Sequence, residues 1–190
     1  ALGTLGAVPL LTSELATTQE SAEAQGLWNW VENTIGSQVR TLCPTDGLLE
    51  NCSSFGEGRL SKSEAVLLAQ LLEKRGYGIE PDVRFGGASL APGSTAVIFR
   101  LPTNSHAIAS PQFAAATVLL ELTVAVAPAD GSVSTAQRDY LEAHMRQALE
   151  FSEAERVRLS AHLDWLVTTP PSLASLKKRL EPLNQGQRTA

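Results

Sequence analysis

Aromatic residues are scarce in this 190-residue chain, at 5%, and there are only two cysteines. The first scarcity leaves any core to Leu, Ala and Val, and the 43% hydrophobic content suffices for one sizeable core with an appended arm. The second excludes a disulfide framework. Cys43 and Cys52 belong to no CxxC or HxxxH pattern that would make a zinc site. They read as free, partly buried thiols in a reducing compartment, with a single bridge as the alternative. Basic residues are also in the minority: 15 Lys and Arg against 20 Asp and Glu give a net charge of −5, which argues against nucleic acid as a partner. The one basic run, Lys177-Lys178-Arg179, reads as a solvated helix face.

Long apolar runs are missing as well. Residues 1–11 are apolar but too short to span a bilayer and lack the basic flank of a signal peptide, while 113–127 contains Glu121 and stops at Pro128. Direct membrane insertion is therefore not expected, and a cytoplasmic location is. The chain opens on Ala1, and its single methionine is Met145. It is expected to be a processed product or an excised domain.

Helical signals dominate what is present. Residues 1–26 read as an arm or linker. Trp28, Val31, Ile35 and Val39 fall on one helical stripe, predicting a helix over 27–42 that ends at Pro44. Ser61 and Glu64 form a capping box, S-x-x-E, before a helix over 62–75 that Gly76 stops. Ser110 and Pro111 open a helix to 127 that is apolar almost all round and reads as the central buried helix. Two further boxes, Ser134/Gln137 and Ser152/Glu155, open helices to 149 and 167, and a Leu173/Leu176/Leu180 stripe predicts a last helix over 172–183. Glycines and prolines between 77 and 101 break the pattern, and 83–85 and 96–100 have strand character.

Two segments align without gaps. Residues 56–64 (GEGRLSKSE) and 129–137 (ADGSVSTAQ) share an acid, a glycine, an apolar residue, a serine and a final Glu or Gln. The glycine permits a tight turn, the apolar residue (Leu60 or Val133) staples it to the core, and the serine caps the next helix. Such an internal repeat predicts two copies of one supersecondary unit. Two readings stay open for the acids. Either they complete helix caps, or Asp130, Glu57 and Glu64 converge as carboxylate ligands of a divalent cation held weakly. The spacing matches the second half of an EF-hand loop, but Val126 and Pro128, with Ser53 and Phe55, stand where its upstream ligands would be. Gln137 further replaces a carboxylate with a neutral amide.

The runs LLELTVAVAPADGSVSTAQRDYLEAHM, AERVRLSAHLDWL and PPSLASLKKRLEPLNQGQR, with GYGIEPDVRFGG and VIFRLP before them, resemble the TerB domain of bacterial tellurite-resistance proteins. The version most similar lies in the middle of larger multi-domain proteins, between dedicated N- and C-terminal domains. The resemblance covers about 56–187. It implies an all-α fold, a TerB-like helical bundle of two related halves: 27–78, then 109–187, separated by an irregular or β-hairpin insert over 79–108 centred on 80–101. It also implies a non-enzymatic module of a stress-response system with a metal-chelating acidic surface on Asp130, Glu57 and Glu64. Its partners would be other domains of the parent protein or Ter-system proteins.

Nothing in the residues argues for catalysis. His106, beside Ser105, has no acid within its motif, and no G-x-S-x-G occurs. His144 and His162 fall on different predicted helices and read as surface or boundary histidines. Gly56-x-Gly58 and Gly86-Gly87 lack the Lys and Ser/Thr of a phosphate-binding loop.

Overall fold

The computed structural model describes residues 22–52, 58–103, 110–126, 134–147, 151–171 and Leu176. The chain divides into two compact units, 1–105 and 106–190.

The first unit runs α1 (Ala22–Ile35), β1 (Arg40–Pro44), α2 (Thr45–Glu50), α3 (Lys62–Lys74), β2 (Tyr77–Glu80), a 3₁₀ turn (Val83–Phe85) and β3 (Thr95–Arg100). The strands form one antiparallel sheet in the order β1-β3-β2. This corrects the all-α expectation and, with it, the bundle of two related helical halves: the fold is mixed α/β. The segment expected as an insert supplies β3 and the end of β2, in a sheet completed by β1. Cys43, Ala96, Ile98, Ile79 and Tyr77 face one side of that sheet. They share a core with Leu27, Trp28, Val31 and Ile35 of α1, Leu48 of α2, and Ala65, Leu68, Ala69 and Leu72 of α3. On the opposite side Val97 and Phe99 are also fully buried.

The errors of the helical reading have local causes. The helix expected to reach residue 42 ends at Ile35, because Gly36 takes a left-handed φ of 51° and closes the last turn with an N–H donated to Glu32 O at 2.9 Å. Val39, the fourth member of the supposed stripe, lies beyond that turn and is 60% exposed. Val83–Phe85, expected as a strand, is a 3₁₀ turn: the Asp82 carboxylate caps it by accepting from Arg84 N–H, and Gly86 ends it at φ 86°. The helix after Ser61 and the strand around 96–100 occur where the sequence places them.

The second unit contains α4 (Pro111–Ala125), α5 (Thr135–Gln147) and α6 (Glu153–Thr168). α4 and α5 both pack on α6. α4 buries Phe113, Thr117, Val118, Leu120, Glu121 and Val124, but it is not buried all round, because Leu119 is 61% exposed and Val126, just past its end, 70%. The helix expected over 172–183 and the basic run within it lie outside the described residues, apart from a helical, buried Leu176. Among the described residues no helix is long and apolar enough to cross a membrane.

Cys43 and Cys52 are both free and buried. Burial pushes their thiols up from the ordinary 9.0 to about 11 and about 12 respectively. Neither is a thiolate near neutrality, so both are expected to resist Ellman's reagent at pH 8 in the folded chain and to react once guanidinium unfolds it. Because the folded values are raised, the stability tied to neutral thiols is complete below pH 9. It is lost as pH rises through 11 to 12, which an alkaline titration of the unfolding midpoint would follow.

Candidate functional site

The turns with acidic character are the place to look for a cation site, and their serines decide the local geometry. At the start of α3, Ser61 Oγ accepts from Glu64 N–H at 3.3 Å and Glu64 Oε2 accepts from Ser61 N–H at 2.7 Å. Both halves of the box are closed, so Glu64 Oε2 satisfies an otherwise unsatisfied donor of the helix start. Leu60 is buried in the core and its N–H donates to Leu90 O, which staples the turn. Gly58 takes a φ of 102°, open to glycine and strained for other residues. The other two residues expected as cation ligands, Glu57 and Asp130, lie outside the described residues, as does His106.

The Ser134/Gln137 box performs the same task without a charge. Gln137 Oε1 accepts from Ser134 N–H at 3.0 Å, and Ser134 Oγ accepts from Gln137 N–H at 3.2 Å. The third box has no acid-glycine turn before it. Glu155 Oε2 accepts from Ser152 N–H at 2.9 Å, while its other oxygen takes Ser110 N–H at 3.0 Å and so joins the start of α6 to the start of α4. Burial would raise the Glu155 carboxyl, but the hydrogen bonds from Ser110 and Ser152 outweigh it and hold the group below the usual range. With a lowered folded value, the stability it contributes is present above the ordinary carboxyl range and is lost as pH falls through the folded value. Ser61→Ala and Ser152→Ala should each cost about 1 kcal/mol in urea unfolding, the usual worth of such a cap.

Two clusters of buried charge were missed in the sequence. In the first unit Arg84 lies between two acids. Its Nη2 donates to Asp82 Oδ2 at 2.7 Å and its Nη1 to Glu73 Oε2 at 2.5 Å. Asp82 is 1% exposed. Burial works against the Arg84 charge, yet hydrogen bonds and charge from Asp82 and Glu73 raise its proton affinity above the ordinary arginine value. The cluster ties the 3₁₀ turn to α3.

In the second unit Glu121 of α4 and His162 of α6 are both buried, with His162 Nε2 3.4 Å from Glu121 Oε1. His162 is therefore no surface or boundary histidine. Its ring lies 5.8 Å from that of Trp165, and Arg158, one turn earlier on α6, is buried as well. Arg138 of α5 donates to Asp164 of α6 and lies 3.7 Å from Glu142. One signal was available: a lone carboxylate within an apolar helix requires a polar partner from a neighbour. These groups brace helices against one another. The imidazole–carboxylate pair is 6% and 4% exposed, too enclosed to meet a substrate.

Among the described residues no group of three His, Cys, Asp or Glu side chains is arranged to hold a metal ion. Comparison with protein-family models, with curated proteins and with solved structures finds no match. The likeness to TerB read in the sequence gains no support from any of the three.

Proposed function

We propose that this chain is a non-catalytic module of a bacterial tellurite-resistance or general stress-response protein. In this reading it is cytoplasmic and works through contacts with other domains of a larger parent chain or with Ter-system proteins. Its acidic turns act as helix caps and not as a cation site. The observation that supports the capping part of this reading is the equivalence of the three boxes. Glu64, Gln137 and Glu155 do the same work at the same position, one of them as a neutral amide and one without the acid-glycine turn. That position asks for a hydrogen-bond acceptor, whereas a cation would ask for charge. The likeness to TerB rests on the sequence resemblance alone.

Binding in trans tests the proposal. The purified chain, titrated with the remaining domains of its parent, should bind saturably with or without EDTA, and Asp130→Asn should bind as the parent does. Absence of binding, or binding that requires a divalent cation and fails in Asp130→Asn, would overturn it.

A further inference from the structure

We draw no further inference here: the strongest candidate, the exposed face of α4 around Ala115, Leu119 and Val126, carries nothing, because nothing in the structure shows what covers it.

Discussion

Replacing Arg84 by alanine is expected to cost the first unit about 3–5 kcal/mol, the usual penalty for removing one partner from a buried ion cluster. The magnitude follows from what is left behind. Asp82 is 1% exposed, and it would lose a fork in which Arg84 Nε lies 3.1 Å from both of its oxygens and Nη2 2.7 Å from one. Glu73, with 14% side-chain exposure, would lose its 2.5 Å contact. Both carboxylates would lose the guanidinium they share. Arg84→Lys should recover only part of the loss, because an ammonium cannot meet both Asp82 oxygens and reach Glu73 together. Urea unfolding followed by the fluorescence of Trp28 and Trp30 in the first unit is the measurement. A loss below about 1 kcal/mol for Arg84→Ala would place the cluster among weak surface pairs.

Phe99→Ala should cost a similar amount, about 3–5 kcal/mol, because the ring is fully buried in the central strand. The ring lies directly over its cross-strand partner Gly78: a Cβ built there would meet Phe99 Cζ at 2.2 Å. Gly78→Ala alone should therefore cost about 1–3 kcal/mol through overpacking, since a ring buried on both sides cannot swing aside. Combined with Phe99→Ala, the same substitution has room and should cost less than the sum of the two. A double-mutant cycle reads this coupling, and strict additivity would mean that the two positions do not touch in solution.

The legible parts of this fold are those that local chemistry fixes. A capping serine that accepts from the N–H three residues on acts within one turn of helix, so the starts of α3, α4 and α6 could be placed from the sequence. The sheet could not, because its pairing is not local: Cys43 pairs with Ala96, 53 residues away, and no sequence window holds both. A helical stripe then absorbed Val39 by coincidence of spacing, although Gly36 had already signalled the stop. The same limit applies to charge. Glu121 announced a need for a partner, but only the packing of α4 on α6 identifies His162. Arg84 was hidden by its apolar neighbours Val83 and Phe85, which suggested a strand where Asp82 instead caps a turn. At the acidic turns the sequence left capping and chelation equally consistent with the spacing. The neutral Gln137 holds the same bonds as Glu64, which supports the capping reading.

The most direct test exchanges those two residues and asks whether charge or hydrogen bonding is needed. Thermal unfolding of Glu64→Gln and of Gln137→Glu would be followed with and without millimolar calcium, magnesium or zinc. If the turns are caps, Glu64→Gln stays within about 1 kcal/mol of the parent, since glutamine closes the same box and forfeits only its interaction with the helix dipole. No cation then shifts the midpoint of any of the three proteins. A midpoint raised by a cation in the parent, lost in Glu64→Gln and enlarged in Gln137→Glu, would contradict the capping role and restore the cation site.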